Sequence, residues 1–376
     1  MKNLTTPTKQ SHTFSKKGKF TPRPILLFGG EGEEHSVSVE SAEALFRELS
    51  AVGIHPLSVY IAKSGGWFIG ESAASPKRLS SRYAKRREVY PIRRYGKGGL
   101  LAGCRFIRVN AAIPVLHGNL GEDGVIAGAL RAAGIPFVGC GVRAGAICAD
   151  KALTKHVASS LGIPTVESVT VWREQDAKQR ASLIIERLYG RNSHLTTSQS
   201  SYGDGVALFV KPTDLGSSVG ARAVRSRAEL EDALDAAFLY SDCVLVERFI
   251  EGARELECAY FEYKGKQYFT RIGEIHHSGE FYGYDEKYSS SDTEIAVAEL
   301  PDSISERVTD YSRTLVVALG IKQISRIDFF LDSCGKLYFN EINTMPGLTS
   351  ASMLPFLIGD EGFSVGEIFA DLIGRL

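Results

Sequence analysis

The stretch from Arg326 to Asn343 constrains the fold of this chain more tightly than any other. Two strand-like runs, Arg326-Ile327-Asp328-Phe329-Phe330-Leu331-Asp332 and Leu337-Tyr338-Phe339-Asn340-Glu341-Ile342-Asn343, flank Ser333-Cys334-Gly335-Lys336. Such runs around a short turn carrying Gly read as a β-hairpin. With Cys334-Gly335 as a two-residue loop, Ser333 pairs with Lys336, Asp328 falls opposite Glu341, and Arg326 falls opposite Asn343. Side chains alternate between faces along a strand, so these last four share one face. Directly opposed Cβ atoms lie about 4.5–5.5 Å apart. Two carboxylates and an amide oxygen so close suit a hard cation, and magnesium held partly by phosphates is the common solution. Arg326 adds a permanent charge suited to an anionic intermediate. A surface hairpin with a cross-strand Arg–carboxylate network uses the same residues, so the hairpin alone leaves both readings open. In the turn that follows, Thr344-Met345-Pro346-Gly347-Leu348-Thr349, Gly347 is able to offer its N–H to a substrate oxygen.

Upstream, strands alternate with helices. Ile25-Leu26-Leu27-Phe28 reads as a buried strand ending in Gly29-Gly30. A helix is expected over 37–49 and a strand over 57–61. A further apolar run, 111–116, ends at His117-Gly118, followed by a helix over 125–133 and a short strand at 136–138. This alternation argues for a parallel α/β unit. Ligands in such sheets sit beyond the carboxyl ends of strands, where both glycine turns fall. Helices are expected over 151–161, 177–188 and 227–239, and strands over 166–172, 208–210, 243–248, 255–263 and 267–272. The polar stretch 191–205 reads as a mobile surface loop. No internal repeat is evident.

A length of 376 residues suits two or three domains and a large core without disulfides. Lys and Arg number 44, as do Asp and Glu, so the balance gives no general support to a nucleic-acid or membrane-surface role. One basic cluster does stand out over 77–97, with Tyr83, Tyr90 and Tyr95 interleaved. We read it as a solvated excursion between strands; an oligonucleotide patch is the other reading, and it predicts salt-sensitive binding. The cysteines form no C-x-x-C pair, which speaks against a zinc site and for reduced thiols in a cytoplasmic protein. No apolar run reaches the roughly 20 residues of a membrane span. Residues 1–22 are basic, lack an apolar core and read as a disordered tail.

The segment Lys211-Pro212-Thr213-Asp214-Leu215-Gly216-Ser217-Ser218-Val219-Gly220 follows a strand. Small residues and glycines let backbone N–H groups approach phosphate oxygens. No Lys follows the second Gly, so this is not the P-loop pattern. Lys211 and Lys151 are candidate phosphate lysines, although an ordinary loop and a solvated helix-start lysine fit the same residues.

Taken together, these segments resemble the D-alanine–D-alanine ligase family, of the ATP-grasp fold. The resemblance runs from about Pro24 to the C-terminus. It is carried by Gly29-Gly30 with Glu34-His35-Ser36-Val37-Ser38, His117-Gly118 with Gly121-Glu122-Asp123-Gly124, Asp150-Lys151, Lys211 to Gly220, Tyr282 to Tyr288, and Arg326 to Ser352. Their order and spacing together are highly specific. The implied architecture is α/β (α+β): a substrate domain over 23–139, a central ATP-grasp subdomain over 140–246, and a C-terminal one over 247–376 carrying the metal hairpin and lid.

The family condenses two D-alanines for peptidoglycan precursor synthesis through an acyl phosphate. By resemblance, Glu34 would hold the first ammonium in a chain with Ser217 and Tyr288, and His117 would lie near that substrate. Arg326 and the Gly347 N–H would form the oxyanion site. Asp328, Glu341 and Asn343 would hold two magnesium (or manganese) ions. Lys151, Lys211, Ser218, Glu247 and Phe249 would bind ATP, with Glu255 at the ribose. Lys287 and Ser352 would hold the second carboxylate, with Met353 lining the methyl pocket. A lid over 282–290 would exclude water from the acyl phosphate. The Lys287-Tyr288 pair favours D-alanine over D-lactate as acceptor. The expected partners are small molecules, with neither nucleic acid nor membrane, and a homodimer is expected. Two departures stand out: Gly32 where the family commonly has Ser, and Ala149 where Met is usual.

Overall fold

The computed structural model describes residues 23–70, 75–173, 177–189, 208–216, 219–276 and 294–376, without the side chains of 177–179. Ser217, Ser218, Lys287, Tyr288, the expected lid over 282–290, the loop over 191–205 and the tail over 1–22 lie outside them.

The first sheet has seven strands: β1 (Arg23–Gly29), β2 (Leu57–Ile61), β3 (Trp67–Ile69), β4 (Arg87–Glu88), β5 (Tyr90–Arg94), β6 (Lys97–Ala102) and β7 (Arg105–Val115), in the order β4-β3-β2-β1-β7-β6-β5. Only the central trio β2-β1-β7 is parallel. The expected parallel unit is therefore extended by antiparallel strands on both sides. From Ile25 onward β1 is buried residue by residue, as a central parallel strand covered on both faces requires. Helix α1 (His35–Ala51) packs on it.

The basic stretch departs from expectation. It contains a short helix, α2 (Pro76–Ser80), and the two edge strands β4 and β5, which only Val89 separates. Edges that are neighbours in sequence must be neighbours in space, so the sheet curls until they meet. Val89 is buried at that junction, while much of the flanking basic residues faces water. At 136–138 a single parallel bridge, Ala112 to Phe137, replaces the expected strand. Pro136 lacks an N–H to donate, and Gly139 at φ +112° turns the chain away.

Helices α3 (Val125–Ala132), α4 (Val142–Ala149) and α5 (Lys151–Ser160) lead to a four-stranded antiparallel sheet. It comprises β8 (Ser168–Trp172), β9 (Leu208–Pro212), β10 (Arg222–Val224) and β11 (Cys243–Arg248), with α6 (Ala177–Tyr189) and α7 (Arg227–Ala237) on one face. Leu208, Val210, Val244 and Val246 enter the core beneath the helices. Strand alternation then turns Phe209, Lys211, Leu245 and Glu247 to the opposite face.

The third sheet is antiparallel: β12 (Arg254–Tyr263), β13 (Lys266–His276), β14 (Glu294–Val297), β15 (Ile324–Leu331) and β16 (Leu337–Asn343), ordered β14-β13-β12-β15-β16. Helix α8 (Asp302–Leu319) packs with Leu256, Ile327 and Phe329 on one face. On the other, α9 (Met353–Asp360) and α10 (Val365–Gly374) share a core with Ala259, Phe261 and α1. The uncovered part of that second face carries Glu255, Glu257, Arg326 and Asp328. Among the described residues no helix is long and apolar enough to cross a membrane.

Candidate active site

The hairpin β15–β16 brings together what its sequence implied, by a different route. Arg326 pairs with Asn343 and Asp328 with Glu341, as expected. The loop is longer than the expected two residues: Asp332 and Gly335 close the turn, with Asp332 N–H bonded to the Lys336 carbonyl, and Gly335 sits at φ +78°. That shifts the pairing by one, to Phe329 opposite Phe339 and Leu331 opposite Leu337. A bulge between Asp328 and Phe329 pairings, taken up by Asn340, shifts it back. Phe339 and Ile342 are both buried although three positions apart, which a regular strand forbids.

On the site face Arg326 donates two bonds to Asp328, Nε to Oδ1 at 2.8 Å and Nη2 to Oδ2 at 2.7 Å. Its Nε also lies 3.0 Å from Glu257 Oε2, and Asn343 Nδ2 donates to Asp328 Oδ2 at 2.9 Å. Burial works against the Arg326 charge, yet the Asp328 and Glu257 carboxylates hold its pKa above the usual range. Two buried carboxylates around one guanidinium leave an excess of negative charge. Among the described residues no three acid, His or Cys side chains form a metal cage on their own. Asp328, Glu341 and the Asn343 amide oxygen nevertheless make a hard, oxygen-only donor set, whose remaining ligands would come from phosphates and water.

The opposing wall is cationic. Asp150 caps α5 by accepting the Leu153 N–H at 2.9 Å, which places Lys151 on the first turn and Lys155 one turn on. Lys151 Nζ lies 3.2 Å from Glu341 Oε2 and donates to the Leu215 carbonyl at 2.6 Å. Burial opposes its charge, but Glu341 outweighs burial and raises its pKa. Lys211 Nζ lies 2.7 Å from Glu247 Oε2 and 3.1 Å from Asn340 Oδ1. Phe249 stacks on Phe209 beside Lys211, with centroids 6.2 Å apart. Glu255 stands two residues before Glu257, on the same face of β12.

Glu34 precedes α1 at the mouth of this space. A Cβ at Gly216 would lie 3.0 Å from Glu34 Oε2, and one at Gly118 would collide with it. Both loops therefore approach Glu34 as closely as glycine allows. His117 is buried: Nδ1 donates to the Met345 carbonyl at 3.0 Å, and Nε2 accepts from Ser41 Oγ at 3.0 Å, which itself accepts the Leu348 N–H. Burial pushes the His117 pKa down. Glu122 joins the same turn, accepting Gly118 N–H at 2.9 Å and Met345 N–H at 3.2 Å. Gly347 backs onto Ser352, whose hydroxyl bonds that of Thr349 at 2.9 Å. Met353 is core-packed, its sulfur against Gly273.

Sequence reasoning assigned nothing to Lys155, Glu257, Asn340, Phe209 and Glu122. Signals existed for three: Lys155 stands one helical turn from Lys151, Glu257 one strand period from Glu255, and Asn340 between apolar residues of broken period. Nothing local marks the half-buried Glu122 as the partner of Gly118 and Met345.

Two family models cover most of the chain: "D-ala D-ala ligase N-terminus" over residues 23–140 and "D-ala D-ala ligase C-terminus" over 157–374. The chain belongs to the D-alanine–D-alanine ligase family. It is 35% identical over 358 residues to D-alanine–D-alanine ligase A of Chromobacterium violaceum, covering 93% of each chain. It is 35% identical over 359 residues to the D-alanine–D-alanine ligase of Enterococcus faecalis, covering 93% of this chain and 97% of that one. Among solved structures, D-alanyl-alanine synthetase A from Vibrio cholerae superposes with TM-score 0.79 at 29% identity, covering 95% of this chain and 99% of that chain. VanG D-Ala:D-Ser ligase from Enterococcus faecalis does so with TM-score 0.78 at 32% identity, covering 94% and 99%. The α/β (α+β) ATP-grasp architecture expected of a D-alanine–D-alanine ligase family member is thus the observed one.

Proposed function

We propose that the protein joins two D-alanines into D-alanyl-D-alanine at the expense of ATP, through an acyl phosphate. The observation that carries this reading is the meeting of the two walls: the oxygen donors of the hairpin face Lys151 and Lys211, with Lys151 bonded to Glu341. A carboxylate oxygen of the first D-alanine attacks the γ-phosphorus and ADP leaves. The amine of the second then attacks the acyl carbon, phosphate departs, and the amine loses a proton. Lysines neutralise the transferred phosphoryl group. Asp328, Glu341 and Asn343 would hold magnesium or manganese, two ions in this reading, supplying charge neutralisation at the phosphates. Arg326 and the Gly347 N–H receive the developing oxyanion. Phe249 and Glu247 belong to the ATP site, Glu247 through its pairing with Lys211, and Glu255 takes the ribose. Glu34, with Ser217 and Tyr288, holds the first ammonium beside His117. Ser352 and Lys287 hold the second carboxylate, Ser218 the phosphates, and Met353 supports the methyl pocket from the core. The divisions at 139 and 246, a homodimer and a cytoplasmic location belong to the same reading.

Incubation of the full chain with ATP, magnesium and D-alanine tests it. The expected result is D-alanine-dependent phosphate release with a dimeric product by mass, abolished by EDTA and restored by magnesium. D-Serine and D-lactate as second substrates give little product. Phosphate release indifferent to D-alanine would remove the proposal. Asp328→Asn and Glu341→Gln should each abolish turnover with the thermal unfolding profile preserved.

A further inference from the structure

Lys155 takes no part in the site as read so far, yet it is one of the most deeply buried cations of the chain, 3% exposed. Its Nζ lies 2.6 Å from Glu247 Oε1, while Lys211 lies 2.7 Å from Glu247 Oε2. One carboxylate thus serves two ammonium groups, one oxygen each, and Glu247 is itself 3% exposed. Lys155 Nζ also reaches the Phe339 carbonyl at 3.5 Å, immediately before the Asn340 bulge whose amide oxygen accepts from Lys211. Helix α5, the second sheet and β16 are tied together at this point.

Charge balance gives the arrangement a consequence. Glu247 with Lys211 alone would make a neutral, closed ion pair, which in a low-dielectric site holds its lysine tightly. Adding Lys155 leaves one net positive charge, shared over two lysines that are 3% and 6% exposed. Burial lowers the Lys155 pKa and Glu247 opposes that; Glu247 is in turn held below its usual range by the two lysines despite its burial. Glu341 compensates part of this charge at Lys155, and an anion beside Lys211 would compensate more.

We propose that Lys155 is a positioning residue for nucleotide binding: by occupying one oxygen of Glu247 it keeps Lys211 half-neutralised and available to the phosphates of ATP. This deepens the proposed function and rests on its reading of Lys211 as a phosphate ligand. A lysine suits the role because its compact ammonium reaches a single oxygen, where a guanidinium would bridge both.

The test measures binding of magnesium adenylyl-imidodiphosphate to the full chain by calorimetry, with steady-state kinetics alongside. Four proteins are compared: wild type, Lys155→Met, Glu247→Gln, and the double variant. Lys155→Met is expected to weaken nucleotide binding and raise KM for ATP at least tenfold, with KM for D-alanine moving less than twofold. Lys155 acts only through Glu247, so the double variant should bind within twofold of Glu247→Gln. Unchanged nucleotide affinity in a folded Lys155→Met overturns the inference, as does a further loss in the double variant beyond Glu247→Gln. Should Lys155→Met fail to fold, the double variant, which leaves Lys211 beside the Asn340 amide oxygen as in Glu247→Gln alone, decides by the same twofold criterion. A wild type that binds no nucleotide would instead strike the proposed function itself.

Discussion

At the scale of single residues, Gly347 shows how an absent side chain serves two neighbours. A Cβ there would sit 2.8 Å from Ser352 Oγ, closer than real Cβ atoms come. Ser352 cannot move freely, because its hydroxyl is bonded to Thr349 and its N–H to the Thr349 carbonyl at 3.0 Å. Gly347→Ala should therefore displace Ser352 and the turn together. A misplacement of about 1 Å in a positioning group costs on the order of 10²-fold in rate. The expected outcome is a rise of at least tenfold in KM for the acceptor D-alanine, with KM for ATP within twofold and an unchanged circular dichroism spectrum. A variant with both constants intact would show that the turn does not position the acceptor. Residues of this kind were legible in the sequence as members of a turn. Their reason, a hydroxyl seated in the space a methyl would fill, was not, because it depends on a contact that spacing does not encode.

Among the elements, α5 bears the most weight per turn. Its N-cap, Asp150, accepts the Leu153 N–H, and the first two turns deliver Lys151 to Glu341 and Lys155 to Glu247. Loss of such a cap costs about 1 kcal/mol. Asp150→Ala should lose that much in urea unfolding and, because the frayed turn carries Lys151, raise KM for ATP more than KM for D-alanine. Equal changes in both constants would separate the cap from the nucleotide site. Elements were read from the sequence unevenly. Helix α5 and strands β1, β11 and β15 have clear periods and sharp ends, and their bounds agree with expectation to within about two residues. The helices α4, α8, α9 and α10 carried no sequence assignment, although α8 buries Ile304, Val308, Leu315 and Leu319 along one stripe. The hairpin is the most instructive case: Arg326 opposite Asn343 and Asp328 opposite Glu341 agree with expectation because two departures cancel, an extra loop residue and the Asn340 bulge. Turn length and bulge are set by packing of Phe339 and Ile342 against the core, which local sequence shows only as a broken alternation.

At the scale of the whole molecule, the turn at 344–349 takes three polar links from residues that flank the first sheet. His117 holds the Met345 carbonyl, Ser41 the Leu348 N–H, and Glu122 the Met345 N–H. Glu122 has the most measurable signature. Burial, then the nearby Glu34 charge, pushes its carboxyl up from 4.5 to about 8, against the bonds from Gly118 and Met345. Between those two values the folded state binds more protons at this group than the unfolded state does. The group's contribution to stability is then greatest below the unfolded value and is lost as pH rises toward about 8. Glu122→Gln removes the titration and keeps one acceptor for a backbone N–H. Subtracting the variant's thermal midpoint from that of the wild type cancels the groups common to both. The difference should fall steadily from pH 5 to pH 8 and flatten beyond, favouring the wild type most in acid. A flat difference across that range would mean that Glu122 is ionised in the folded protein throughout. The two N–H bonds would then outweigh burial, and the link from Glu122 to the turn would be a charged one.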